Sequence, residues 1–306
     1  MKGIFLKTAY LLIIGTALLG KINSPTALVL GFIFTLIFSN PFKQYCHRAI
    51  HYFLKISVIG LGFGMYLEET FQTGKEGLGL TASSIVLTVS LGWVLTRALK
   101  LDLKLGHLIT SGTAICGGSA IAAISPVIKS KGKIISIALG VVFLLNSIAL
   151  FVFPTIGHFF KLTQEQFGLW CAIAIHDTSS VVGAAIEYGD EALRIATTVK
   201  LSRTLWIIPL SVLSMFLFGT QGKKIRIPYF ILLFIGAIAI NSYHILPETT
   251  TGPIVFIAKR LLVATLFMVG STISIEDLRA TGVKPILLAL ALWIFISIFS
   301  LVFILY

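Results

Sequence analysis

The sequence predicts an all-α polytopic membrane protein. Of its 306 residues, 57% are hydrophobic and only 12% are charged, whereas a soluble domain carries about 25% charged residues. The apolar residues form runs of membrane-spanning length that are bounded by charged or turn residues. No soluble domain fits between these runs, and we therefore expect a single membrane domain over residues 1–306.

We expect about ten to eleven membrane segments along the chain. The first, residues 4–20, has no small-residue cleavage site after it, which favours a retained helix over a signal peptide. Segments 26–39 and 228–243 are short for a full crossing. The complete set is 4–20, 26–39, 49–67, 78–97, 105–128, 133–156, 166–188, 192–218, 228–243, 253–273 and 285–306.

An internal repeat relates residues 26–97 to residues 228–306. Three pairs of residues in these regions are each separated by 208 positions, and each copy starts with one of the two short segments. The copies lie an odd number of segments apart, so they would run through the membrane in opposite directions as an inverted repeat. Residues 105–218 would then form the central core. The matched pairs are Gly62 with Gly270, Glu68 with Glu276, and Gly74 with Gly282.

The net charge of +12 is explained best by basic loops on the cytoplasmic side, and we expect no nucleic-acid partner. A basic vestibule that attracts anions is the alternative. If the N-terminus lies on the cytoplasmic side, Arg97 and Lys223 also lie on that side and Glu187 lies on the opposite side. Lys129 fits inside only if segment 105–128 is a re-entrant hairpin. Unwound helices that cross the membrane are the rival geometry, and the sequence does not decide between them.

Two apolar segments are interrupted near their centres by glycine and polar residues. Glycine costs about 1 kcal/mol per helical position relative to alanine, so we expect two discontinuous helices or hairpins that meet near the membrane midplane. Paired interruptions of this kind point to the binding site of a transporter. The first interruption lies within residues 110–121 and the second within residues 174–183.

The interruptions supply candidate substrate-binding residues. Free amide groups and helix N-termini at a break favour an anion. Tight helix packing is the alternative role for the glycines, and local capping of the backbone is the alternative for the hydroxyls. The candidates are Ser111, Thr113, Cys116, Gly117, Gly118, Ser119, Thr178 and Ser179.

Ionisable residues inside apolar runs are the second group of candidates. His176 and Asp177 are adjacent within a membrane segment and are predicted to carry the coupling ion; a structural pair is the alternative. Lys200 and Arg203 share one helix face and would balance the charge of a substrate, or else snorkel to the interface.

Lys55, Lys259 and Arg260 also lie inside apolar runs. We expect them to snorkel or to form ion pairs.

Several chemistries are excluded by what the sequence lacks. Cys46, Cys116 and Cys171 stand at unrelated spacings, so neither a disulfide framework nor a metal site is indicated. The sequence contains no phosphate-binding loop, nucleophile elbow or dinucleotide fingerprint. We therefore expect no metal, no cofactor and no enzymatic activity.

Residues 112–123, followed by Ser125-Pro126-Val127-Ile128, resemble the YeiH-like family of bacterial inner-membrane proteins, which are called sulfate exporters. The resemblance implies a ten-to-eleven-helix secondary transporter with inverted repeats, a core domain and a scaffold domain. Its plan would be similar to bile-acid-type and sodium/proton-antiporter-type folds. The same resemblance extends over residues 167–168, 174–179, 199–203 and 241–247.

These observations predict a multi-pass transporter of the bacterial inner membrane. It would export a small anion, such as a sulfur oxyanion, a sulfonate or a carboxylate, by alternating access coupled to protons or sodium. An uncoupled anion channel and a non-transporting membrane scaffold or sensor are the alternatives. The expected partners are the anion, the coupling ion, membrane lipid and, by analogy with the fold, a second copy of the chain.

Overall fold

The computed structural model describes residues 2–38, 40–219, 229–272 and 282–306, and over these residues the regular structure is entirely α-helical. Five helical stretches within this part of the chain are long and apolar enough to span a membrane. The predicted fold class is thereby confirmed. The five stretches are Gly79–Ala98, Gly132–Phe159, Asp190–Leu217, Glu248–Gly270 and Val283–Leu305.

The helices follow the predicted segments. The two interrupted segments are each divided into two helices, and a turn at residues 205–206, which the sequence did not predict, lies within segment 192–218. The first four are α1 (Lys2–Leu18), α2 (Ser24–Phe38), α3 (Lys43–Gly62) and α4 (Leu67–Ala98). The central helices are α5 (Leu103–Ala114), α6 (Gly118–Val127), α7 (Gly132–Phe159), α8 (Gln164–Ala174), α9 (Thr178–Tyr188), α10 (Asp190–Thr204) and α11 (Ile207–Leu217). The last three are α12 (Tyr229–Ser242), α13 (Glu248–Gly270) and α14 (Val283–Leu305).

Side-chain caps determine where the two divided segments begin. The carboxylate of Asp102 accepts hydrogen bonds from the amides of Lys104 and Leu105, which starts α5. Thr163 and Gln166 form a reciprocal capping box at the start of α8. Such caps satisfy amide groups that the first helical turn leaves without a partner.

Both divided segments are hairpins. Lys104 Nζ at the start of α5 donates to the carbonyl oxygen of Lys129 just after α6, at 3.1 Å. The hydroxyl of Tyr188 at the end of α9 donates to the carbonyl oxygen of Leu162 just before α8, at 2.7 Å. Each segment therefore returns to the side from which it entered. The 28-residue helix α7 runs between the hairpins, so they open toward opposite sides.

The remaining helices pack as two groups. The scaffold group contains α1, α2, α3, α12 and α13, and the core group contains α4 to α11 with α14. Trp170 of α8 donates to the carbonyl oxygen of Ser297 at 2.9 Å, which joins α14 to the core group. The two groups meet mainly along α9, where a Cβ added to Gly183 would lie 2.8 Å from Leu266 Cδ1 of α13.

Glycines bring the scaffold helices close together in two matching contacts. A Cβ added to Gly62 of α3 would lie 2.9 Å from the carbonyl oxygen of Phe234 in α12. A Cβ added to Gly270 of α13 would overlap the carbonyl oxygen of Leu28 in α2. The glycines are 208 residues apart and their partners 206, which is the pattern that an inverted repeat predicts. Glu276 and Lys223, named in the sequence analysis, lie outside the described residues.

The glycine contacts make a prediction about stability. Gly31→Ala should destabilise the protein by about 1–3 kcal/mol, because overpacking costs this much and the added Cβ would overlap the carbonyl oxygen of Phe267. Gly236→Ala is the control, since its Cβ would meet no atom within 4 Å. Thermal unfolding in detergent micelles measures both. Equal unfolding temperatures for the two variants would contradict the packing described for α2 and α13.

The hairpin geometry makes a prediction about topology. Lys104→Cys and Lys129→Cys should react with a membrane-impermeant maleimide from the same side, and Gln164→Cys and Glu191→Cys from the other. The three native cysteines are buried and should give little background. Labelling of inside-out and right-side-out vesicles distinguishes the sides. If Lys129→Cys reacted from the side opposite to Lys104→Cys, α5 and α6 would form a crossing segment instead.

Candidate functional site

The two interruptions are in direct backbone contact. Residues 115–117 separate α5 from α6, and residues 175–177 separate α8 from α9; we call these two breaks the crossing. Gly117 has φ +60°, and a Cβ placed on it would lie 3.3 Å from Asp177 Cα and from the carbonyl carbon of His176. The left-handed conformation and this close approach both require glycine. The sequence therefore located the two breaks correctly.

The helices that leave the crossing begin differently. Asp177 is the N-cap of α9, where its carboxylate accepts hydrogen bonds from the Ser180 amide at 3.2 Å and from the Ser179 hydroxyl. Gly117 is the N-cap of α6 and offers no side-chain acceptor to its first turn. Ser119 in that turn is exposed and Gly118 is partly exposed. The positive end of α6 is thus the better placed of the two to receive an anion.

Asn146 of α7 holds the second break, a role that the sequence did not predict. Its Oδ1 accepts hydrogen bonds from the backbone amides of His176 at 3.1 Å and of Asp177 at 3.3 Å. These amides belong to no helix, so they depend on a side chain for a partner. The available signal was a lone amide side chain within the long apolar run of α7.

Two buried cations of α10 bind the carbonyl ends of the broken helices. Lys200 Nζ donates to the carbonyl oxygens of Ile175 at 2.6 Å and of Ala172 at 3.2 Å, at the end of α8. The guanidinium of Arg203 donates to the carbonyl oxygen of Ala114, the last residue of α5, and to Ser84 Oγ at 3.3 Å. A helix C-terminus carries partial negative charge and favours such cations.

Lys200 and Arg203 are both fully buried. The alternative that they snorkel to the interface is therefore wrong. Their role in balancing the charge of a substrate stays a prediction.

His176 is fully buried, and neither of its ring nitrogens has a hydrogen-bond partner among the described residues. Asn146 Nδ2, Thr113 Oγ1 and Arg203 Nε are likewise buried without a described partner. An unsatisfied buried polar group costs about 1–3 kcal/mol, so a concentration of them needs an explanation. A functional site supplies one.

The structure separates the candidate residues by accessibility. Ser111 donates to the carbonyl oxygen of His107 in its own helix, at 2.7 Å, and is fully buried. Thr178 and Asp177 keep a small exposed surface, with exposed fractions of 8% and 9%. The remaining buried candidates are Thr113, Cys116 and Ser179. Only the first turn of α6 is openly accessible among these candidates in the described structure.

The described residues contain no group of three or more His, Cys, Asp or Glu side chains that could hold a metal ion.

Comparisons with known proteins identify relatives over nearly the whole chain. The family described as "Conserved hypothetical protein 698" matches residues 5–289. A UPF0324 membrane protein of Photobacterium profundum is 53% identical over 290 residues, which cover 94% of this chain and 88% of that protein. A UPF0324 membrane protein of Bacteroides thetaiotaomicron is 47% identical over 285 residues, which cover 92% of this chain and 86% of that protein.

Among solved structures, a sodium proton antiporter of Methanocaldococcus jannaschii aligns with 96% of this chain and 100% of its own. The identity is 14% and the TM-score is 0.29. A similarity at this level supports no inference about fold or transport.

The role of Asn146 can be tested by its replacement. Asn146→Leu should destabilise the protein by about 2–4 kcal/mol, because two buried amides lose their acceptor. Ser147→Ala is the matched control, since the Ser147 hydroxyl bonds only the Phe143 carbonyl of its own helix. Thermal unfolding measures both variants. An unfolding temperature for Asn146→Leu that equals that of the wild type would show that Asn146 does not hold the break.

Proposed function

The chain belongs to the family of "Conserved hypothetical protein 698", and for this membrane protein we propose secondary active transport of a small anion by alternating access. The substrate is a sulfur oxyanion, a sulfonate or a carboxylate, the direction is export, and protons or sodium ions drive it. The observation that carries the proposal is the backbone contact at the crossing, between Gly117 and residues 176–177.

The crossing offers an anion-binding element at the start of α6. The N-cap residue Gly117 provides no side-chain cap for this helix, and Ser119 adds an exposed hydroxyl in the first turn. Backbone amides at a helix N-terminus bind anions without the need for a charged side chain. An irregular backbone within a membrane protein is tolerated where it lines a cavity or a pathway.

The charges around the crossing also favour an anion. Lys200 and Arg203 contribute two positive charges and Asp177 one negative charge. Lys200 hydrogen-bonds the carbonyl oxygen of Ile175 and Arg203 that of Ala114, while Asp177 belongs to the second break itself. The excess of positive charge raises the affinity for a negatively charged ligand.

Asp177 couples the binding of an ion to the position of α9. Its carboxylate holds the first turn of α9 through Ser179 and Ser180. Both bonds use Oδ2, and a proton or a sodium ion bound to this carboxylate would weaken them because it reduces the negative charge of the acceptor. Since α9 is the main contact between the core and scaffold groups, a change at Asp177 would be transmitted to their interface. The adjacent His176 is the second candidate for the coupling proton.

Transport by purified protein in proteoliposomes tests the proposal, with sulfate, sulfite, thiosulfate, a small sulfonate and a small carboxylate as probes under imposed pH or sodium gradients. Gly117→Ala should slow transport about tenfold or more, because strain of 1–3 kcal/mol at a positive φ disturbs the crossing. Gly236→Ala should transport like the wild type.

His176→Ala and Asp177→Asn should transport without responding to the gradient. If both variants remained fully coupled, the assignment of the coupling role would be wrong. Single-channel currents would show that the protein is an anion channel and not a transporter. No flux of any probe, together with no ligand-induced rise in unfolding temperature, would favour a scaffold.

A further inference from the structure

A cavity lined by positive charge lies away from the crossing, between the α1–α2 turn, the end of α9 and the middle of α13. Its volume is about 450 Å³ and it shares no lining residue with the crossing. The polar and charged side chains that matter here are Lys21, Asn23, Ser24, Glu187 and Arg260.

Arg260 is held in a fixed orientation within this cavity. Its guanidinium carbon lies 4.9 Å from the centre of the Phe256 ring, in a cation–π contact. On another side it packs against Gly20, which has φ +73° and whose added Cβ would overlap the guanidinium. A glycine at this turn therefore allows both the left-handed backbone and the close approach of the arginine. The guanidinium is ordered by contacts that do not use its hydrogen-bond donors.

The donors of Arg260 have no partner in the part of the chain that the structure describes. The sequence predicts that Lys259 and Arg260 snorkel or form ion pairs. Lys259 does pair, with Asp190 of α10. Arg260 makes neither a hydrogen bond nor an ion pair with a described residue, and its Nε is buried. The Ser24 hydroxyl, on a fully buried residue that lines the same cavity, is also without a described partner.

The one carboxylate of the cavity lining is already engaged. Glu187 Oε1 accepts a hydrogen bond from the backbone amide of Ser24 at 3.1 Å, in the first turn of α2. Glu187 thus bridges α9 of the core group and α2 of the scaffold group. The lining contains two cations, Lys21 and Arg260, and one anion, Glu187, so its net charge is +1. A ligand that complements this cavity carries negative charge and accepts several hydrogen bonds.

We propose that this cavity is a second anion site, which binds a tetrahedral oxyanion through the guanidinium fork of Arg260, the hydroxyl of Ser24 and the ammonium of Lys21. Arginine suits sulfate and phosphate because its planar fork donates two parallel hydrogen bonds to their oxygens. The oxyanion is either a free ion or the phosphate of a lipid headgroup, since both present the same oxygens.

Hydrogen exchange of the full-length protein in detergent micelles tests the site directly. Sodium sulfate or sodium phosphate should slow exchange over residues 19–26, relative to sodium chloride at equal ionic strength. Arg260→Gln should weaken this effect about tenfold or more in apparent affinity. Arg260→Lys keeps the charge and loses the guanidinium fork. Its apparent affinity should lie between those of the wild type and Arg260→Gln. Arg194→Gln is the matched control, because Arg194 lies beside Glu191 and outside this cavity, and should behave as the wild type.

Lipid as the source of the oxyanion is tested by native mass spectrometry of the purified protein. An anionic phospholipid that is retained by the wild type and by Arg194→Gln, and lost from Arg260→Gln, would place a headgroup in the site. Equal protection or equal lipid retention in Arg260→Gln and the wild type would overturn the proposal, as would the absence of both effects in the wild type. If Arg260→Gln does not fold, Arg260→Lys decides the outcome.

The same exchange experiment separates this site from the proposed transport site. Peptides over residues 112–121 and 174–182 report on the crossing, and residues 19–26 report on the Arg260 cavity. Protection over residues 19–26 without protection at the crossing supports the Arg260 site even where the proposed transport function fails, and protection at the crossing alone overturns the Arg260 site.

Discussion

The close contact between Gly117 and the backbone of residues 176–177 organises the core group of helices. Two helices that break inside apolar segments leave carbonyl and amide groups without helical partners, and each such group costs several kcal/mol if it stays unpaired in lipid. The fold must therefore bring polar side chains to the breaks. The arrangement of α7 and α10 around the crossing follows from this requirement.

The core group meets the requirement with few side chains. Lys200 and Arg203 lie one turn apart on α10 and bind the carbonyl ends of α8 and α5 respectively. Asn146 of α7 binds the two free amides of the second break. Each helix C-terminus receives a cation, as the helix dipole favours. The N-cap of α6 is Gly117, which has no side chain to cap the first turn, whereas Asp177 caps the first turn of α9, and the two hairpins differ in this respect.

Neighbouring cations of α13 show how position decides the role of a charged residue. Lys259 pairs with Asp190, which attaches α10 to the scaffold group. The next residue, Arg260, points into another cavity and is held there by Phe256 and Gly20 without a described ionic partner. The Lys259–Asp190 pair and the cavity that Arg260 lines both lie where the core and scaffold groups meet, so movement between the groups would change the surroundings of both residues.

The sequence alone determined the fold class, the approximate positions of the apolar helical segments, and the places where two of them break. These features depend on local composition: apolar run length, glycine content and polar residues inside apolar runs. Only the tertiary structure decided that the broken segments are hairpins and that Lys200 and Arg203 bind helix ends. It also decided that Asn146 binds the free amides of the second break and that Arg260 lines a cavity. Such facts depend on which distant residues become neighbours, since Lys200 meets a carbonyl 25 positions away and Arg203 one 89 positions away. Spacing along the chain carries no record of those contacts.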